Sequence, residues 1–186
     1  LDFGGSWLLP RLVGMQRAKG LALLAGVAAV VGAPDLDLCE RFGRALARHL
    51  ENRNALIVAS CDLSHFPSYG DAVEVDRKTL EAFSTLDPGA VRSAVRKQMR
   101  RGVENLSTCA CGEGPVLAVM TAARELGADG VQIISYANSG DTPMGDRSRV
   151  VGYGAAAFVE GVESAEVPSL RHPAPGGGET VFTPDQ

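Results

Sequence analysis

A chain of 186 residues, 45% hydrophobic and 22% charged, is long enough for one domain with its own core, and its composition excludes a disordered or fibrous chain. Lys and Arg number 18 against 22 Asp and Glu, a net charge of −4, so there is no general electrostatic pull toward nucleic acid. The four cysteines match neither a zinc-finger nor a C-x-x-C spacing, and so few in a chain of this size suit a reducing, cytoplasmic compartment.

Residues 1–26 show no clean period, and the chain starts at Leu1 rather than Met. A processed start, or a piece of something longer, is the expectation. Residues 15–33, "MQRAKGLALLAGVAAVVGA", have the basic start, apolar middle and small-residue end of a secretory signal. They are internal and too short to span a bilayer. The regular order of elements that follows favours a buried strand, with "GVAAVVG" as its core.

"DLDLCERFGRALARHLEN" predicts a helix capped by Asp35, with Leu38, Phe42, Ala45 and Leu46 on its apolar face. "ALIVAS" predicts a second strand. "DAVEVDRKTLEAFSTL" predicts a helix with Val75, Leu80 and Phe83 apolar. "DPGAVRSAVRKQMRR" opens on Asp-Pro, a helix-entry pair, and carries Arg92, Arg96, Lys97, Arg100 and Arg101 as a solvated basic face. "GEGPVLAVMTAARELGADG" predicts another helix, ended by Gly127 or Gly130. "VQIISY" and "VVGYGAAAFV" predict the last two strands, an antiparallel pair if no helix joins them. Strands alternating with helices imply an α/β fold with a mostly parallel sheet flanked by helices. The organisation expected is a poorly patterned stretch at 1–26, an α/β domain at 27–160, and a Pro/Gly-rich disordered tail at 161–186.

Three places carry residue types suited to chemistry. Asp62 and His65, in "SCDLSHFPSY", follow the end of a predicted strand, where functional groups of open α/β sheets gather. Three apart in a loop, they read as an acid–base pair, as part of a metal shell, or as an Asx turn with a capping histidine. Cys109 and Cys111 lie in "STCACGEGPV". Cys111 precedes a helix, which suits a thiolate acting as nucleophile or soft metal ligand, against the alternative of a small residue at a tight turn. Glu113, in the first turn, suits the helix dipole. The loop "YANSGD" follows a strand end and is a candidate for the same cavity. His49 closes a helix, Cys39 and Cys61 read as small buried hydrophobes, and His172 lies in the tail.

In order, "SCDLSHF", "DAVEVDRKTLEAFSTLDP", "TCACGEGPVLAVMTAA", "ISYANSGD" and "RVVGYGAAAF" resemble segments of the Memo family, whose microbial members are called AmmeMemoRadiSam system protein B. "VAAVVGAPDLDLCERFGRALARHL" fits the family segment just upstream, so the resemblance covers about residues 27–159. It implies a fold like the class III extradiol dioxygenases, whose metal is non-haem iron. It implies an iron or copper site with Cys111, in Cys111-Gly112-Glu113-Gly114-Pro115, as a metal ligand. Asp62 and His65 match the family's Asp and His beside the metal. The two other family ligands are histidines of "PHAGY"-like and "GPSHH"-like segments. This chain has three histidines and neither segment, so it resembles the C-terminal part of a Memo protein with the N-terminal half missing.

The function implied is a metal-dependent oxidoreductase, dioxygenase-like if active. Its alternatives are a non-enzymatic protein- or peptide-binding module and an inactive truncated remnant. A Cys111–His65 thiol nucleophile and base is a third reading, from the residues alone. Radical-SAM and AMMECR-type proteins of the same system are the expected partners, with no nucleic acid and no membrane. A homodimer is the expectation for a sheet left with an open edge.

Overall fold

The computed structural model describes residues 35–161. The readings for 1–26, for the strand at 26–32, and for the tail with His172 lie outside the described residues. In chain order the described residues form α1 (Leu36–Leu50), α2 (Tyr69–Phe83), α3 (Pro88–Met99), α4 (Glu113–Glu125), β1 (Gly130–Asn138), a 3-10 turn (Ser139–Asp141) and β2 (Gly152–Val159). The class is α/β, and no described helix is long and apolar enough to cross a membrane.

Local chemistry starts three of the helices. Asp35 accepts the Leu38 N–H at 2.8 Å, and Asp87 accepts the Gly89 N–H at 2.8 Å ahead of Pro88. Ser68 caps α2 by accepting from the Asp71 N–H. In contrast, α4 starts at Gly112 with no side-chain cap, which leaves its first N–H groups to partners from elsewhere in the chain. Gly127, at φ 104°, ends the turn after α4 in the left-handed region that glycine tolerates.

The core lies among α2, α3, α4 and β1, with Leu80, Val91, Leu117, Met120 and Val131 all fully buried. The buried face of α1 differs from the one its apolar residues predict. Cys39, Gly43 and Ala47 are buried at a spacing of four, whereas Leu38 and Phe42 are 49% and 38% exposed. The cause is close approach to α4. A Cβ at Gly43 would lie 2.4 Å from the Ala118 carbonyl oxygen, so only the small-residue stripe fits there. The basic face of α3 also differs in one residue. Arg92 is buried, and its Nε lies 2.6 Å from Glu113 Oε1 of α4.

The sheet among the described residues is a two-stranded antiparallel ladder of β1 and β2, with a bulge at Ile134 between Ile133 and Ser135. The connection between them holds only a 3-10 turn, without the helix that a parallel crossover needs. The expected parallel pairing is therefore not seen among the described residues. "ALIVAS" at 55–60 runs without ladder partners, and Leu56 and Val58 are 73% and 74% exposed. It borders a cleft of about 620 Å³ with α4 and β2.

Candidate metal centre

Residues 62–67 are held between two other stretches of chain. On one side Leu63 N–H donates to the Gly152 carbonyl, Gly152 N–H to Ser64, and Phe66 N–H to Val150. On the other, His65 N–H donates to Thr108, Ser107 N–H to His65, and Cys111 N–H to Asp62. His65 forms antiparallel bridges with both Thr108 and Val151. Phe66 then takes φ 74°, an uncommon conformation for a residue with a side chain, and its ring lies under the Arg149 guanidinium at 4.8 Å. The segment that looked like a free loop is thus the middle of a three-stretch arrangement, and its side-chain directions are set by that pairing.

This arrangement brings Asp62, His65 and Cys111 together. One donor atom of each lies within 4.8 Å of the others, with Asp62 and His65 half-buried and Cys111 exposed. The Asp62 N–H donates to Cys111 Sγ at 3.2 Å, which places the sulfur over the start of the segment. His65 Nε2 is 3.4 Å from Asp62 Oδ2, without the alignment of a hydrogen bond. Nε2 itself is buried and has no hydrogen-bond partner. A buried ring nitrogen left unpaired beside a carboxylate and a thiol is a costly arrangement unless something binds there. One oxygen, one nitrogen and one sulfur donor suit a borderline transition metal better than magnesium or calcium. The residues present therefore fit a metal of the iron or copper type.

Beneath the cluster is a buried polar network. Asp76 of α2 accepts the Ser64 N–H at 2.8 Å, the Ser64 hydroxyl at 3.0 Å and the Tyr136 hydroxyl at 2.8 Å. Burial pushes the Asp76 carboxyl up to about 6, against the lowering effect of those hydrogen bonds. The same burial, with Asp76 nearby, holds the Tyr136 hydroxyl above its ordinary range. The "YANSGD" loop serves structure here. Asn138 and Asp141 form a capping box around the 3-10 turn, and Tyr69 donates to Asp141 at 2.5 Å.

Neither Ser64 nor Asp76 stands out as a site residue from the sequence. The signal for Asp76 is its position on the buried stripe of α2 with Ala72, Val75, Thr79, Leu80 and Phe83, where a carboxylate needs partners. Cys61 is the other surprise. It is half-buried rather than an inert core residue, donates to the Asp62 carbonyl at 2.9 Å and accepts the Gly112 N–H at 3.2 Å. Burial pushes its thiol up to about 12. Cys39 is a core residue as expected, and Cys109, beside Cys111 in sequence, is buried too, its Sγ 3.5 Å from Met99 Sδ. Glu113 is in the first turn of α4, as read, and has Arg92 beside it besides the dipole. His49 is exposed in the last turn of α1.

The family model for Memo-like protein matches residues 25–157. The chain is similar to a MEMO1 family protein of Methanopyrus kandleri, 34% identical over 129 residues, which is 68% of this chain and 42% of that protein. It is also similar to a MEMO1 family protein of Nitrosopumilus maritimus, 35% identical over 124 residues, 67% of this chain and 42% of the relative. A MEMO1 family protein of Methanosarcina acetivorans is 34% identical over 154 residues, 82% of this chain and 48% of its own. The chain thus spans less than half the length of these curated relatives.

Proposed function

This chain belongs to the Memo-like protein family, and from that premise we propose that Asp62, His65 and Cys111 form a metal pocket with a redox role. The wider fold we infer is that of the class III extradiol dioxygenases, with a larger and mostly parallel sheet, in a cytoplasmic protein. The observation that carries the reading is His65 Nε2, buried and without a hydrogen bond, with a donor atom each of Asp62 and Cys111 within 4.8 Å.

Cys111 Sγ would anchor the ion, since it is exposed at the entry to α4, where it accepts the Asp62 N–H. Asp62 and His65 would border it as an acid–base pair. Asp62 Oδ2, at 3.4 Å from Nε2, would orient the imidazole beside a bound substrate. Iron or copper would supply one-electron chemistry when bound. The half-exposed setting leaves room for a ligand from solvent.

Metal analysis after loading with Fe(II) or Cu(II) tests this. Cys111→Ala is expected to lose most of the ion. His65→Ala is expected to weaken affinity about 10- to 100-fold, as loss of a neighbouring group does. Unchanged metal content in both variants overturns the proposal.

A further inference from the structure

We propose that Cys61 and Cys111 form a reversible disulfide, a peroxide-responsive modification site at the edge of the cluster. The two cysteines are 50 positions apart in the chain yet share one pair of peptides. Cys111 N–H donates to the Asp62 carbonyl at 3.1 Å, and Asp62 N–H returns a bond to Cys111 Sγ at 3.2 Å. Gly112 N–H donates to Cys61 Sγ, also at 3.2 Å. Each sulfur is therefore held against the other cysteine's neighbour in the chain.

The backbones approach closely one residue beyond Cys111. A Cβ placed on Gly112 would lie 2.9 Å from the Cys61 Cβ and 2.4 Å from the Ser60 carbonyl oxygen. A disulfide joins Cα atoms about 4.4–6.8 Å apart, and the paired peptides at 61–62 and 111–112 bring the two cysteines toward that range. Access separates this pair from the other two cysteines. Cys111 is exposed and Cys61 half-buried, whereas Cys39 and Cys109 are buried.

The oxidant is hydrogen peroxide. Its O–O bond breaks as the Cys111 sulfur forms an S–O bond, giving a sulfenic acid and one water. The Cys61 sulfur then attacks. An S–S bond forms, the S–O bond breaks and a second water leaves. The two thiols lose two electrons and their two protons, and peroxide gains both. A dithiol reductant reverses the bridge. Resting on the metal reading above, the bridge would also remove the sulfur donor and release the ion.

Peptide mapping without reduction, after brief treatment of the full chain with peroxide, tests the bridge. The expected product is a linked Cys61–Cys111 peptide in most chains, lost on adding dithiothreitol, with Cys39 and Cys109 still alkylated. Cys61→Ser is expected to give no linked peptide and over-oxidised Cys111. Wild-type chains with oxidised Cys111 and a free Cys61 thiol overturn the proposal, as does Cys111 linked to any other cysteine. Metal content measured on the same samples separates the two readings. A bridge that forms without loss of bound metal overturns only the metal assignment. Metal that depends on Cys111 in chains that form no bridge overturns only this one.

Discussion

Ser64 is fully buried, and its hydroxyl donates to Asp76 at 3.0 Å. It gives that carboxylate both its N–H and its hydroxyl, so it anchors the strip that carries the candidate site. Ser64→Ala removes one hydrogen bond to a carboxylate while leaving the backbone bond in place. The expected cost is about 1.5–3 kcal/mol, the range for hydrogen bonds to charged groups. Urea unfolding of the two proteins checks it, and equal midpoints would show that the hydroxyl is idle. Asp62 and Ser64 are two apart, a spacing that would put both on one face of a regular strand, yet Asp62 belongs to the cluster and Ser64 to the buried network. Residue type alone marks all of "DLSH" as polar. The pairing with 107–111 and 150–152 decides what each side chain meets.

The contact between α3 and α4 shows how an element is fixed by one ion pair. Arg92 Nε and Glu113 Oε1 are 2.6 Å apart, with side chains 11% and 23% exposed. Glu113 opens α4, immediately after Cys111 and Gly112. Arg92→Ala would leave a carboxylate largely out of water, at a cost of about 3–5 kcal/mol. Replacing both partners, Arg92→Met with Glu113→Gln, is expected to recover most of that loss. Thermal unfolding of the single and double variants checks this, and a double variant as unstable as the single one would refute it. The other exposed ion pairs, such as Arg41 with Asp37 one turn apart, carry little by comparison. At the same scale, the rotation of α1 follows from Gly43. A Gly43→Val side chain would meet the Ala118 carbonyl and Thr121, so α1 would be pushed off α4. Overpacking of this kind costs about 1–3 kcal/mol. Loss of helical signal at a lower temperature is the expected readout, and an unchanged melting curve would mean that the two helices part freely.

Across the molecule, Asp76 joins α2, the site strip and β1 through its three hydrogen bonds. Its carboxyl is raised from an ordinary 3.8 to about 6 in the folded chain. A carboxyl raised on folding binds its proton more tightly in the native state. The stability this gives is complete below about pH 4 and is lost as pH rises toward and through 6. The difference is about 3 kcal/mol between those limits. Asp76→Asn keeps an acceptor for the Ser64 N–H and removes the titration. Its stability relative to wild type should therefore rise between pH 4 and 7. Denaturant midpoints across that range check the sign, and a constant difference would show that Asp76 titrates normally in the fold.

Helix boundaries were legible in the sequence because caps are local. Asp35, and Asp87 with Pro88, announce α1 and α3 within four residues of where each begins. Asp62 and His65 were legible as a pair because they are near in sequence just after a predicted strand, and their side chains do meet, at 3.4 Å. Their grouping with Cys111 came from resemblance to a family, because nothing in spacing alone joins residues 65 and 111. The meeting of Cys61 with Cys111 and of Ser64 with Asp76 was not legible at all. Each depends on hydrogen bonds between peptides far apart in sequence, which form only once the stretches at 62–67, 107–112 and 150–152 lie side by side. The antiparallel direction of the β1–β2 ladder was legible, because the polar stretch between the strands offers no crossover helix. Apolar pattern pointed to Leu38 and Phe42 on α1, while backbone proximity at Gly43 selected the neighbouring stripe of Cys39, Gly43 and Ala47. Local chemistry thus determined where elements begin and which residues were worth watching. Long-range packing decided which of them meet, because burial and backbone approach are properties of the assembled chain.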